Sequence, residues 1–201
     1  MFTGIVLDVG HVVSRESRGG DARLLIAFER LEPSGINIGD SICVQGCCLT
    51  AVELRDRIFA ADASRETLSL TTLGDLAPGS PVNLEPSLKA GDPLGGHLVS
   101  GHVDGVAEIT AIGGDARSTR VEICAPSDLS RYIARKGSVT IDGVSLTVNE
   151  VQGATFGINL IPHTQAVTTL GGLRVGARVN IEVDQIARYV ERLLADSACS
   201  R

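Results

Sequence analysis

The chain has 201 residues, 43% of them apolar and 21% charged, with a formal net charge of −6; this balance reads as globular and offers no basic surface to nucleic acid. No apolar run of about 18 residues occurs, which excludes a membrane-spanning helix, and Asp8 interrupts the N-terminus before an export signal could form. Cys43, Cys47, Cys48, Cys124 and Cys199 fit neither a disulfide framework nor a paired zinc motif, so they are expected as reduced thiols in a cytoplasm.

In chain order, Met1-Phe2-Thr3-Gly4-Ile5-Val6 opens the sequence, and a short turn of helix is expected near residues 32–37. Ile42 with Val44, and later Val82 with Leu84, alternate with polar neighbours in the period-two pattern of half-buried strands. Residues 91–97, Gly-Asp-Pro-Leu-Gly-Gly-His, gather chain breakers and mark a junction. Strand patterns then return at Val121 with Ile123, Val139 with Ile141, and Val179, Ile181 and Val183. Between them, residues 126–134 suggest a turn or two of helix, ended by Lys136-Gly137. From residue 184 to 195 the period changes, and Ile186, Tyr189, Val190, Leu193 and Leu194 form one apolar stripe on a helix. That stripe must be covered, either by its own domain or by another copy of the chain.

The two halves are copies. An offset of 97 lays Gly46-Cys47-Cys48-Leu49-Thr50 over Gly143-Val144-Ser145-Leu146-Thr147, and Thr71-Thr72-Leu73-Gly74 over Thr168-Thr169-Leu170-Gly171, with 22 identities in about 85 positions and no gap. A period of this length exceeds any solenoid unit and predicts two small domains, each with its own core. The expected fold is all-β: two similar six-stranded Greek-key barrels and a C-terminal α-helix. The expected divisions are 1–97, 98–183 and 184–201.

Within a strand, residues i and i+2 share a face, so Cys48 with Thr50, and Ser145 with Thr147, each present two small polar groups together. Their recurrence in both copies marks a cleft, and the Cys-for-Ser exchange marks unequal roles. His102 carries an imidazole, the side chain most often used for proton transfer, and is a candidate acid or base. Lys136 is one of only two lysines and stands where the first copy has Gly39, so one half alone carries a cation there, either a solvated strand-end lysine or a group that could bind an anion. Asp184 is an N-cap candidate that could also reach a site. His97 and His102 lack further ligands at zinc spacing, so no metal site is expected.

Residues 1–6, the run from Gly95 to Gly105 and the run from Ile141 to Thr147 resemble the riboflavin synthase family, the type built from two lumazine-binding repeats. The resemblance implies a cofactor-free dismutation of two 6,7-dimethyl-8-ribityllumazine molecules into riboflavin and 5-amino-6-ribitylamino-uracil by four-carbon transfer. It also implies a homotrimer held by C-terminal helices, with each reaction site shared between neighbouring subunits. Association with lumazine synthase is a further partner that it raises and that the residues themselves do not decide. Carried over residue by residue, the first half-site would comprise Gly4, Ile5, Val6, Cys48, Leu49 and Thr50, then Asp62, Ala63, Ser64, Arg65, Glu66 and Thr67, with Ser41 close by. The second would comprise Gly101, His102, Val103, Lys136, Ser145, Leu146 and Thr147, then Asn159, Leu160, Ile161, Pro162, His163 and Thr164. The chemistry is expected from Ser41, Cys48, His102, Ser145, Thr147 and Asp184. The alternative is a non-catalytic lumazine or flavin binder of the same fold.

Overall fold

Alternating side chains and tight turns build strands that curl until they meet. In the computed structural model, which describes residues 1–198, β1 (Asp8–Arg18), β2 (Asp21–Ala27), β3 (Ser41–Val44), β4 (Cys47–Arg55), β5 (Ile58–Ala63) and β6 (Pro81–Pro86) close a first barrel. Its strand order is β1-β2-β5-β4-β3-β6, every pair antiparallel. The second barrel repeats that Greek-key order with β7 (Gly105–Asp115), β8 (Ser118–Cys124), β9 (Ser138–Ile141), β10 (Val144–Gln152), β11 (Thr155–Leu160) and β12 (Arg178–Val183). Closure removes the free sheet edges that would otherwise invite aggregation. Even the bulge in the first strand recurs, between Val12 and Ser14 in β1 and between Ile109 and Ala111 in β7. Cys199 and the end of the 184–201 segment lie outside the described residues.

Each barrel has its own core. Leu24, Ile26, Ile42, Phe59 and Leu84 fill the first, and Val121, Ile123, Val139, Phe156 and Ile181 occupy equivalent places in the second. The turns expected near residues 32–37 and 126–134 are 3₁₀ turns at Pro33–Gly35 and Ser127–Tyr132. Two short helices were not expected: α1 (Arg65–Leu70) and α2 (Pro162–Val167). Both start on ordinary signals, since the Ser64 Oγ accepts from the Thr67 N–H at 3.1 Å and Pro162 fills the first turn of α2.

The barrels meet along a polar seam with twofold logic. Asn83 Nδ2 donates to the Asp142 carbonyl and Asn180 Nδ2 to the Gln45 carbonyl, at 2.8 and 2.7 Å. In return, Asn180 Oδ1 accepts from the Thr72 N–H and Asn83 Oδ1 from the Thr169 N–H. Every amide in the exchange has a partner, which is the condition for burying it without loss.

The C-terminal helix α3 (Gln185–Ala198) forms as expected, and Asp184 caps it, Oδ1 accepting from the Ile186 N–H at 3.0 Å. Glu191 holds it to the second barrel through Arg131 and Tyr132, as does the Arg188 pair with Asp104. The apolar stripe does not cover its own barrel: Ile186 is 64% exposed, Tyr189 65% and Leu194 64%. No helix among the described residues is long and apolar enough to cross a membrane.

Candidate active site

Two straps that belong to neither barrel's sheet organise the site. Phe2 and Val99 form an antiparallel bridge, with Phe2 N–H donating to Val99 O at 2.8 Å and Val99 N–H to Phe2 O at 3.1 Å. Beyond this bridge each strap is gripped by a buried carboxylate of its own copy. Glu85 accepts from the Thr3 N–H and Oγ1, both at 2.7 Å, and from the Gly4 N–H at 2.9 Å. Glu182 does the same for Ser100 and Gly101, at 2.7, 2.6 and 2.9 Å. Burial raises both carboxyls above their ordinary range, and the strap hydrogen bonds pull the other way.

Each strap then crosses to the other barrel. The Ser145 N–H donates to Gly4 O and the Cys48 N–H to Gly101 O, both at 2.8 Å. Val6 packs on the second core and Val103 on the first. Only glycine permits the crossing: Gly4 has φ +75° and Gly101 +78°, and an added Cβ would lie 2.6 Å from the Ser145 Cβ or 2.7 Å from the Cys48 Cβ. The expected half-sites are corrected here. Gly4, Ile5 and Val6 do not join Cys48, and Gly101, His102 and Val103 do not join Ser145, because the Phe2–Val99 bridge delivers each strap to the opposite copy.

One half-site is an open cavity of about 430 Å³ lined by Cys47, Cys48, Glu66, Thr67, Leu70, Thr71 and residues 101–103. Cys48 is half-buried there and His102 is exposed beside it. Ser41 pairs across the sheet with Thr50, as Ser138 does with Thr147. The side chains of Leu49, Ala63 and Leu160 are buried in the barrel cores, so only their backbones are free to meet a ligand. Asp62 is engaged by Arg23, whose guanidinium holds the carboxyl below its usual range. In the second copy, Asn159 donates to Asp115 at 2.8 Å, while its buried Oδ1 has no partner among the described residues. The other half-site gathers Gly4 to Val6 around Ser145. Pro162, at the start of α2, borders a shallow depression of about 630 Å³ beside the β7–β8 hairpin. Lys136 is exposed with φ +66° where the first copy has Gly39 at +96°. A side chain there costs about 1–2 kcal/mol of backbone strain.

His97, weighed in the sequence only as a metal ligand, stands at the centre of this half-site. Its Nδ1 lies 2.7 Å from Ser145 Oγ and its Nε2 3.2 Å from Thr140 Oγ1. Burial lowers its pKa, with Asp184 opposing the shift, so the ring is neutral near pH 7. A neutral imidazole in this position can accept the Ser145 proton on one nitrogen and donate to Thr140 with the other, within the reach that general-base chemistry needs. The Gly95-Gly96 pair before it was the available signal: a Cβ on Gly96 would strike the Thr3 carbonyl at 2.1 Å. Among the described residues no three His, Cys, Asp or Glu side chains gather as metal ligands would.

Comparison with known proteins agrees with this architecture. The lumazine binding domain model matches twice, at residues 3–87 and 100–184. The chain is similar to riboflavin synthase of Mycobacterium bovis, 48% identical over 198 residues, with 96% of this chain and 98% of that protein covered. It is also similar to riboflavin synthase of Photobacterium phosphoreum, 45% identical over 194 residues, covering 96% of this chain and 89% of that one. A solved structure of LumP complexed with 6,7-dimethyl-8-(1'-D-ribityl) lumazine superposes with a TM-score of 0.82 at 28% identity, covering 91% of this chain and 99% of that chain.

Proposed function

This chain belongs to the riboflavin synthase family, and from that premise we propose that it converts two molecules of 6,7-dimethyl-8-ribityllumazine into riboflavin and 5-amino-6-ribitylamino-uracil. The observation that carries the reading is the pair of unlike half-sites. One offers Cys48 and His102, the other Ser145 on His97, and each is completed by the opposite copy's strap. A dismutation needs such inequality, because one ring gives up a four-carbon unit and its twin receives it.

Holding two flat rings against each other replaces an encounter by a step within one complex, for which about 7 to 11 kcal/mol is available in favourable cases. Proton transfer adds roughly 10² to 10⁴ in rate. The donor or acceptor ring must lose a methyl proton, and we assign His102 to proton transfer. Ser145, with His97 as its base, and Cys48 are assigned to activation of the electrophilic carbon, directly or through water. Ser41, Thr147 and Asp184 support these groups, Asp184 through its field at His97.

The half-sites lie on different barrels of one chain, and the reading joins the first barrel of one subunit to the second barrel of its neighbour. We propose residues 1–97 and 98–183 as the two lumazine-binding units and 184–201 as the segment that assembles a homotrimer. The exposed stripe on α3 supports this, and lumazine synthase is a proposed associate. The free thiols Cys43, Cys47, Cys48 and Cys124 support work in a cytoplasm. The competing reading, a binder like LumP, is disfavoured by polar groups in both half-sites. Incubation with the lumazine separates the two: riboflavin fluorescence should grow with one flavin formed for two lumazines consumed, and a spectral shift without flavin would reject catalysis.

A further inference from the structure

Cys43 and Cys48 are direct cross-strand partners on β3 and β4. Opposed residues of an antiparallel pair project to one face, and here it is the outer face against Phe2 and Val99, outside the barrel core. The Cys48 N–H is spent on Gly101 O at 2.8 Å and so turns away from Cys43. The pair is therefore of the non-hydrogen-bonded kind, in which Cα atoms stand about 4.5 Å apart. A disulfide spans roughly 4.4 to 6.8 Å between Cα atoms, so this spacing falls at its short limit. The second copy shows how near side chains come at these positions: a single ring, His97, contacts both Thr140 and Ser145, the equivalents of Cys43 and Cys48.

We propose that Cys43 and Cys48 are a peroxide-sensitive thiol pair that closes reversibly into a disulfide and withdraws the Cys48 sulfur from the cavity. The effect on turnover rests on the proposed function; the pairing itself does not. Cys48 lines the cavity and meets the oxidant, while Cys43 is 2% exposed and burial pushes its thiol well up. The Cys48 sulfur attacks hydrogen peroxide, the O–O bond breaks, and a sulfenic acid and one water form. The Cys43 sulfur then displaces that hydroxyl, which leaves as a second water with the Cys43 proton. Two thiols lose two hydrogens and two electrons, and the peroxide is reduced to water. Cys47 is the chain neighbour of Cys48 and so projects to the opposite face of β4, into the first core cluster, which makes it the poorer partner. A bond closed at the short limit is strained and easily reduced, which suits a reversible device.

Differential labelling tests the pair. After peroxide treatment free thiols are blocked with one reagent, and thiols released by dithiothreitol are labelled with a second. The second label should fall on Cys43 and Cys48 and the first on Cys47. Riboflavin formation should drop severalfold, return with dithiothreitol, and be protected by lumazine added beforehand. Cys43→Ala, and Cys43→Ser should Ala pack poorly, should keep basal turnover and lose the reversible response. A second label on Cys47, no second label at all, or an equal reversible loss in the Cys43 variants would overturn the proposal. Turnover before peroxide reports on the function, and the labelling pattern reports on the pair whether or not flavin is made.

Discussion

Asp142 and Gln45 hold the same place in the two copies, each at the tip of a hairpin buried in the seam and each accepting a backbone N–H at 2.8 Å from an asparagine of the adjoining strand of its own barrel. One is ionisable and the other is not, and burial raises the Asp142 carboxyl to about 7. The unfolded chain ionises an aspartate near pH ~4. The stability that Asp142 contributes is therefore full below about pH 4 and lost as pH rises through about 7, because the unfolded state releases its proton first. Asp142→Asn keeps the acceptor for the Asn180 N–H and has no proton to lose. Its melting temperature should exceed that of the wild type at about pH 8 and converge with it near pH 4, a difference on the order of a few kcal/mol at most. A gap independent of pH would show that Asp142 is ionised in the seam.

At the scale of elements, the straps decide what the barrels can do. A buried carboxylate takes three hydrogen bonds from each strap, and the glycine it holds reaches across to the other copy through its carbonyl. Glu182→Ala leaves the Ser100 and Gly101 N–H groups without an acceptor, at about 1–3 kcal/mol each. The cost should appear as lost order in residues 100–103 and a raised KM for the lumazine, with both barrels still folded by circular dichroism. Glu182→Gln should recover part of the loss, because an amide oxygen accepts where the carboxylate did. An unchanged KM in the alanine variant would separate the strap from ligand binding. The short helices α1 and α2 belong to this scale too. Their signals at Ser64 and Pro162 were present in the sequence, but six residues are too few for a helical period to register.

For the whole molecule, α3 is bound to its barrel by charged and phenolic contacts while its apolar stripe faces outward. An apolar stripe left exposed by its own chain marks an interaction surface, and the proposed assembly assigns it to other copies. Deletion of residues 184–201 should lower the mass in solution from that of a trimer to that of a monomer, read by light scattering. If the proposed assembly joins half-sites of neighbouring chains, turnover should fall with it. A truncated chain that keeps its assembly would place the contact elsewhere.

The sequence by itself determined the duplication, the two closed barrels and the polar doublets Cys48 with Thr50 and Ser145 with Thr147, because copying and period-two alternation are local patterns that a strand must obey. It also carried the cap at Asp184 and the helix after it. Tertiary structure alone decided that Gly4 lies on Ser145 and Gly101 on Cys48, that Leu49, Ala63 and Leu160 turn inward, and that His97 bridges Ser145 and Thr140. The offset between copies shows which residues are equivalent but not which barrel a strap will cross to. That choice rests on contacts between residues nearly half a chain apart, such as Phe2 with Val99, which no local period records.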